Sequence, residues 1–516
     1  MSTAEYTVAV LIKGVVQVEL QFQKKSSSCL RSVLAEVQNM EQTQEIRIPE
    51  GMPGIDRVVS AWGQVVMRSK EWHSSRITLS AGMLVWVLYI PEEGGSPQCV
   101  NGWIPFQIHW DLPELCDDGN VRILCVPRFV DARSVSAGKI MVRAGVAAMA
   151  EAWCREEKTV YLPSEVPEDI QLLRSTYPVR LPKEAGERQF LLDEELTLPG
   201  SAPMPERVLY YRMNPAVSDK KVLSNKAVFR GSGNLHILYE SPEGQLHSWD
   251  FELPWSQFAE LEGSYSQDAQ LDVRLMPTSV EVETIGEGKL HLKCAMTAQY
   301  LVDDQELLEL TEDAYSPGRE LKILQETMNM PAILDSRQEN IYGEQTLPAD
   351  VDLVADVQFL PDFPKQQRSG GTLSLYMPGF VQLLCYRADG ELYSLSGRWE
   401  GKLDIPADDS SSLAAMPLPG SEVQVFPERS SVNLKATVPV HLQFTSGQGM
   451  EMIAGMELGD PVTPDPERPS LVLMRMENRR LWDLAKACGT TMEAIRQANG
   501  LSGEPAPGQM LLIPVK

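Results

Sequence analysis

The fold is decided by residues 271–302, LDVRLMPTSVEVETIGEGKLHLKCAMTAQYLV, in which apolar and polar side chains alternate along most of the length. In an extended chain, Val280 and Val282 point to one face, and Glu281 and Glu283 point to the other. The alternation therefore predicts a strand, a turn and a second strand.

This unit occurs three times in the chain. Its counterparts are residues 121–150, VRILCVPRFVDARSVSAGKIMVRAGVAAMA, and residues 423–444, VQVFPERSSVNLKATVPVHLQF. The copies recur at intervals of roughly 130 to 150 residues, which is long enough for one domain per copy. The recurrence predicts tandem domains that share one fold.

A hairpin motif precedes each unit. The three hairpins are LVWVLYIPEEG at residues 84–94, LHILYESPEGQLHSW at 235–249 and VQLLCYRADGELYSL at 381–395. Glu243-Gly244 and Asp389-Gly390 are typical of hairpin turns, because glycine accepts a positive φ angle. The first hairpin has a longer turn.

A strand that ends in a proline turn begins each copy. We assign these strands to residues 42–54, 187–200 and 318–332, with Pro49, Pro199 and Pro331 as the matching prolines. The copies are predicted to be mainly β and sandwich-like, with helix only near residues 30–39 and 303–310. The predicted domains are residues 1–165, 166–316 and 317–458.

The three copies resemble the SPOCS (DUF3794) domain of spore-coat assembly proteins from endospore-forming bacteria. The resemblance covers most of residues 40–450 and rests on the proline turn, the hairpin and the alternating unit. After the third copy, GDPVTPDPERPS at residues 459–470 contains four prolines in a short acidic run. This composition favours extended backbone and predicts a linker over residues 459–469.

Residues 470–516 predict a small module of two strands around two helices. SLVLMRM and PGQMLLIPV form the strands, and RLWDLAKACG forms a helix with Gly489 as its stop. Thr490 to Glu493 fits a capping box for the second helix, which Gly500 ends. The predicted buried side chains are Leu481, Leu484 and Ala485 in the first helix and Met492, Ile495 and Ala498 in the second.

This βααβ order resembles a LysM domain, an α+β fold. That family usually has a Gly-Asp-Ser/Thr turn before the LW helix, and here Asn478, Arg479 and Arg480 occupy those positions. In glycan-binding LysM domains the turn and the loop at residues 501–507 form the groove for N-acetylated sugars. Two long, charged side chains at one wall of that groove argue against sugar binding.

Charge is distributed unevenly along the chain. The 46 Lys and Arg against 71 Asp and Glu give a net charge of −25, which repels nucleic acid and anionic lipid. Residues 470–516 hold six basic and four acidic side chains, hence +2, so the remainder holds −27. A basic module on an acidic body suits binding to an acidic protein surface.

Several features indicate a cytoplasmic protein. The N-terminal stretch has no basic region before its apolar residues, so no signal peptide is expected, and no apolar run is long enough for a membrane helix. The eight cysteines are scattered without C-x-x-C pairs and are expected to be reduced thiols.

Motifs for catalysis are missing from the sequence. It has no G-x-x-x-x-G-K-[ST], H-E-x-x-H or G-x-S-x-G pattern, and its acidic clusters lack the spacing of a calcium loop. His236 and His247 flank the second hairpin and could approach each other across it, but we interpret them as ordinary strand residues. No enzyme activity, catalytic residue, cofactor or metal site is predicted.

Three such repeats, a linker and a LysM-like module together resemble the SipL-like spore-coat morphogenetic proteins. The resemblance implies a mother-cell scaffold at the forespore surface whose LysM module binds the coat ATPase SpoIVA, with the repeats as candidates for contacts to other coat proteins. The alternative is a peptidoglycan or N-acetylglucosamine binder of the spore cortex or cell wall. The candidate partner-binding residues are Arg479, Arg480, Trp482, Lys486, Asn499, Gly500, Leu501 and Ser502.

Overall fold

The computed structural model describes residues 18–286, 288–406, 411–463, 469–476 and 479–515. Strands dominate this part of the chain, and the only helices described are two short ones near residues 481–499. The mainly β fold class is confirmed. All strand pairs are antiparallel, and the three copies use one strand order.

The first copy consists of two three-stranded sheets, in the orders β3-β4-β5 and β2-β7-β6. Its core lies between the sheets, and alternation selects the side chains that enter it. In the last strand of the first sheet, Ile108 and Trp110 are buried, whereas Gln107 and His109 face solvent. Its six strands are β2 (Phe22–Arg47), β3 (Ile55–His73), β4 (Arg76–Pro91), β5 (Gln98–Asp111), β6 (Gly119–Ser136) and β7 (Lys139–Pro163). The short β1 (Val18–Glu19) precedes them and pairs with residues 457–458 of the third copy.

The second copy repeats this arrangement with sheets β9-β10-β11 and β8-β13-β12 around a second core. Its hairpin β10-β11 turns at residues 241–245, and its alternating unit is the pair β12-β13, as predicted. The strands are β8 (Gln171–Thr197), β9 (Arg207–Leu223), β10 (Lys226–Glu240), β11 (Leu246–Glu260), β12 (Gln270–Gly286) and β13 (Lys289–Tyr315).

The third copy has the same hairpin sheet, β15-β17-β18, but its alternating unit is interrupted. The strand that corresponds to β6 and β12 is divided into two short strands, and both pair with β21. The strands are β14 (Arg319–Pro348), β15 (Leu353–Pro361), β16 (Lys365–Ser369), β17 (Thr372–Tyr386), β18 (Leu392–Pro406), β19 (Ser412–Pro417), β20 (Glu422–Pro427) and β21 (Ser431–Pro461).

The three hairpin sheets meet around an approximate threefold axis. At equivalent positions, Trp86 of the first copy lies edge-on to Tyr210 of the second, with ring centroids 5.3 Å apart. His236 of the second copy lies 2.8 Å from Asp356 of the third. Gln382 of the third copy donates a 2.6 Å hydrogen bond to Ser60 of the first, which closes the ring.

The first and last strands of each copy continue beyond its sandwich as a two-stranded ribbon. Residues 22–31 pair with 154–163, residues 171–182 with 303–315, and residues 319–333 with 445–461. The three ribbons pack on one another around buried side chains such as Val179, Leu308 and Met330. Both connections between copies lie at the outer ends of these ribbons.

Four details differ from the sequence-based predictions. Residues 30–39 and 303–310 are strand, because they belong to the long strands β2 and β13, which pair with β7 and β8. The proline turn of the third copy lies at Pro348, whereas Pro331 is inside β14. The predicted linker begins later, since β21 reaches Pro461, and residues 464–468 lie outside the described part. Cys116 and Cys154 form a disulfide, so the prediction of reduced thiols is wrong for this pair.

Candidate functional site

The C-terminal module has the predicted βααβ order. Strand β22 (Leu471–Arg475) pairs with β23 (Met510–Pro514), and α1 (Leu481–Cys488) and α2 (Met492–Asn499) lie between them in sequence. Gly489 and Gly500 end the helices with φ angles of +62°, a left-handed conformation that glycine adopts without a Cβ clash.

The module has a small core of its own. Leu481, Leu484, Ala485 and Ile495 are buried in it, as predicted. Met492 is only partly buried against this core, and Ala498 is exposed, so the stripe predicted for α2 is wrong at Ala498.

The N-cap of α2 differs by one residue from the prediction. The hydroxyl of Thr491, not that of Thr490, accepts a 3.1 Å hydrogen bond from the backbone N–H of Ala494. Glu493 accepts a hydrogen bond from Gln497 instead of closing the predicted capping box. Thr490 is buried because the module contacts another part of the chain there.

Two arginines mark the start of α1. Arg480 is exposed, and its guanidinium group lies 3.3 Å from the carboxylate of Asp483. Arg479 is exposed and has no side-chain hydrogen bond or ion pair to any residue in the described part of the chain. The third residue of this turn, Asn478, lies outside the described residues. The arginines therefore present positive charge to solvent.

Trp482 and Lys486 face the second copy. The indole N–H of Trp482 donates a 2.8 Å hydrogen bond to the carboxylate of Asp313 in β13, and Nζ of Lys486 lies 2.8 Å from both oxygens of that carboxylate. Trp482 is only 2% exposed. These two candidate residues bind the protein's own ribbon in this structure.

A second contact reinforces this docking. The ring of Tyr315 lies edge-on to Trp482, with centroids 4.8 Å apart, and its hydroxyl donates a 2.8 Å hydrogen bond to the backbone carbonyl of Thr490. Tyr315 and the half-buried Leu173 also join the core of the module. The module is thus seated on the outer end of the second ribbon by an apolar contact with a charged rim.

The remaining candidate residues lie after α2. The side-chain amide of Asn499 donates to the carbonyls of Ile495 and Leu512 and accepts from the N–H of Leu512, all within 2.8 Å. Asn499 therefore ties α2 to β23. Leu501 packs on the core of the module, whereas Gly500 and Ser502 are exposed.

The histidines considered in the sequence do not meet. His236 is buried between the carboxylates of Asp250 and Asp356, at 2.8 Å from each, while His247 lies beside the ring of Tyr239. Burial alone would lower the pKa of His236, but the hydrogen bonds with the two carboxylates outweigh it, so the pKa is raised. The sequence did not indicate this contact, because Asp356 belongs to another copy.

Neither helix in the described part of the chain has the length and apolar character that a membrane crossing requires. Within the same residues, no cluster of three or more histidine, cysteine, aspartate or glutamate side chains is placed to hold a metal ion.

Comparison with known families identifies two domains. A family model described as the SipL SPOCS domain matches residues 205–285, in the second copy, and the LysM domain model matches residues 481–514. Searches of curated proteins and of solved structures found no match. The matched families are binding or scaffold modules. They indicate a sporulation-related coat protein with a LysM module. The chain thus contains a region similar to the SipL SPOCS domain and a region similar to the LysM domain, which agrees with the resemblance seen in the sequence.

Proposed function

We propose that this protein is a non-enzymatic scaffold of endospore coat assembly and that its LysM module binds the coat morphogenetic ATPase SpoIVA. The scaffold acts in the mother-cell cytoplasm at the forespore surface, and its SPOCS repeats contact further coat proteins. The observation that carries the proposal is the exposed pair Arg479 and Arg480 at the turn where sugar-binding LysM domains have small residues.

The charge of the LysM module supports a protein as its ligand. The arginines lie on a module of charge +2, which is attached to a body of charge −27. Arginine is enriched at protein interfaces, because its planar guanidinium group pairs with carboxylates. An uncharged sugar gains little from two solvated guanidinium groups.

Because the module is docked on the second ribbon, fewer of the candidate residues are free to contact a partner. Trp482 and Lys486 are occupied by Asp313, so a partner that meets the docked module contacts Arg479 and Arg480 first. Gly500 and Ser502 are the exposed members of the second candidate loop. In this account Asn499 and Leu501 maintain the shape of the module and contribute to binding only indirectly.

The second candidate function is binding of peptidoglycan, which the LysM match itself favours. The two functions are separated by offering the intact chain to immobilised SpoIVA and to purified peptidoglycan in parallel. We expect retention on SpoIVA that is lost when residues 470–516 are deleted. Retention on peptidoglycan that chitooligosaccharides compete away, without retention on SpoIVA, would contradict the proposal.

A further inference from the structure

The small sheet of the LysM module is apolar on both faces. Strands β22 and β23 pair so that Leu473 lies opposite Leu512 and Val472 lies opposite Ile513. Val472 and Ile513 belong to the face that packs against the core of the module. The opposite face, which we call the outer face, carries Leu471 (56% exposed), Leu473 (61%), Met510 (50%) and Leu512 (43%).

An exposed face of this composition is unusual for a sheet. A sheet with one solvated face normally alternates apolar and polar side chains, because apolar side chains left in water forgo the free energy of burial. Here β22 reads LVLMR and β23 reads MLLIP, so Arg475 is the only polar residue among the outer positions of these two strands. A contiguous patch of exposed apolar side chains marks a surface that another segment covers.

The size of the outer face limits what can cover it. Its four apolar side chains expose roughly a few hundred Å², whereas each partner of a standard protein interface buries about 800 Å². A free protein or a second copy of this chain would therefore gain too little from this face alone. A segment of the same chain is held at a high effective concentration and binds through a smaller contact. The size favours a tethered segment.

The N-terminal residues have the composition that this face requires. Residues 1–17 lie outside the described part of the chain, and within them residues 6–16 read YTVAVLIKGVV, with Lys13 as the one charged residue. The segment that connects β21 to the module, residues 462–469, reads VTPDPERP and has Val462 as its one large apolar residue. Of these two segments, residues 6–16 are the one that offers apolar side chains for the whole face.

Strand β1 starts close to the docked module. It is antiparallel to the last residues of β21, so the N-terminal end of β1 lies beside the C-terminal end of β21. Leu20, just after β1, packs on the apolar cluster that contains Ala314. Ala314 lies between Asp313 and Tyr315, the two residues that hold the module on the ribbon. The N-terminal residues are thus attached beside the module.

The N-terminal segment is also long enough. A compact module of the length of residues 470–516 is about 25 Å across. Seventeen extended residues span up to about 56 Å, more than twice that distance. The shorter segment 462–470, which starts at the same end of β21, already reaches β22. Residues 6–16 therefore have the reach to lie anywhere on the surface of the module.

We propose that residues 6–16 lie across the outer face of the LysM sheet and cover Leu471, Leu473, Met510 and Leu512. Burial of apolar surface on both sides provides the attraction. The contact joins the first residues of the chain to its last module and holds the module at a second place besides the ribbon. It involves other residues than the arginines proposed to bind SpoIVA, so either proposal stands or fails without the other.

The test uses the intact chain with the photoreactive amino acid p-benzoylphenylalanine in place of Leu473. After irradiation, chains of monomer mass are separated from chains of dimer mass, and the cross-linked peptides are identified by mass spectrometry. We expect residues 6–16 of the same chain to be the main cross-linked segment. The control places the same amino acid at Leu223, an apolar residue of similar exposure in the second copy, and should give no cross-link to residues 6–16.

Two double variants test the apolar contact in the chain that carries the photoreactive residue at position 473. Val8→Asp with Val10→Asp is expected to reduce the yield of the cross-link at least fivefold, because it places two charges in the apolar stretch. Ser2→Asp with Thr3→Asp adds the same charge outside that stretch and should stay within twofold. Cross-links mainly to a second copy or to another part of the chain, no cross-link to residues 6–16, or an unchanged yield in the variant of Val8 and Val10 would overturn the proposal.

Discussion

Removing the carboxylate of Asp313 should release the LysM module from the second ribbon. In the variant Asp313→Ala, the indole N–H of Trp482 loses its only acceptor inside a contact where Trp482 is 2% exposed. An unsatisfied buried donor costs about 1–3 kcal/mol. The lost ion pair with the half-exposed Lys486 adds up to about 1 kcal/mol.

Together these contributions weaken docking by about 1–4 kcal/mol, which shifts the docking equilibrium roughly 5- to 700-fold. Asp313→Asn keeps an oxygen for the indole and removes only the charge, so it should cost about 1 kcal/mol or less. Glu309→Ala is the matched control, because Glu309 lies on the same strand and, among the described residues, its side chain makes a surface ion pair with Arg174 and no other ion pair or hydrogen bond.

The assay is ¹⁹F NMR of the intact chain labelled with 5-fluorotryptophan. The resonance of Trp482, among the ten tryptophans, is assigned with Trp482→Phe. Its shift reports contact with the ring of Tyr315, so docked and undocked populations are measured as urea is added. Docking constants for Asp313→Ala within twofold of the unchanged chain, or equal losses for Asp313→Ala and Asp313→Asn, would refute this reasoning.

Three further predictions concern the stability of other contacts. Because the pKa of His236 is raised in the fold, its contribution to stability is complete below the pKa of an unfolded histidine and is lost as pH rises through the folded pKa. The melting temperature should therefore fall more between pH 5.5 and 8.5 for the unchanged chain than for His236→Gln. An equal fall of the melting temperature in both proteins would contradict the contact. Arg122→Ala should lower the free energy of unfolding by about 3–5 kcal/mol in urea titrations, because it leaves the carboxylates of Glu151 and Asp272 buried without this partner. A loss below about 1 kcal/mol would contradict the importance of this buried ion pair. Asn499→Ala should destabilise the LysM module by about 1–3 kcal/mol, measured as faster hydrogen exchange of the backbone amides in α2 and β23. Unchanged exchange there would show that the side-chain amide of Asn499 is dispensable.

Local patterns predicted most strands of the fold. Alternation identified the pairs β6-β7 and β12-β13, and turn dipeptides with glycine identified the hairpins β10-β11 and β17-β18. These features are encoded by residues close in sequence, which is why a single chain reveals them. The helix ends at Gly489 and Gly500 were predictable for the same reason.

Helix propensity gave wrong predictions where tertiary contacts determine the secondary structure. Residues 30–39 and 303–310 are rich in Leu, Ala, Glu and Gln, which favour helix, yet both are strand. Leu30 packs with Trp153 and Leu301, and Leu308 lies in the core of the ribbons. These contacts come from distant parts of the chain and outweigh the local preference.

The candidate site was predicted only in part. The sequence placed Arg479, Arg480, Trp482 and Lys486 around one helix, and all four lie on α1 or at its start. It did not indicate that Trp482 binds Asp313, because 169 residues separate the two and Asp313 stands in no recognisable motif.

The most direct test of the proposed function is a calorimetric titration of the intact chain into purified SpoIVA, with charge reversal at the two exposed arginines. We predict that Arg479→Glu with Arg480→Glu weakens binding at least tenfold, as expected for arginines central to an interface. The control Arg133→Glu with Arg429→Glu makes the same change of charge at exposed positions elsewhere and should stay within twofold. Unchanged affinity of the Arg479 and Arg480 variant would contradict the claim that this turn of the LysM module binds a protein.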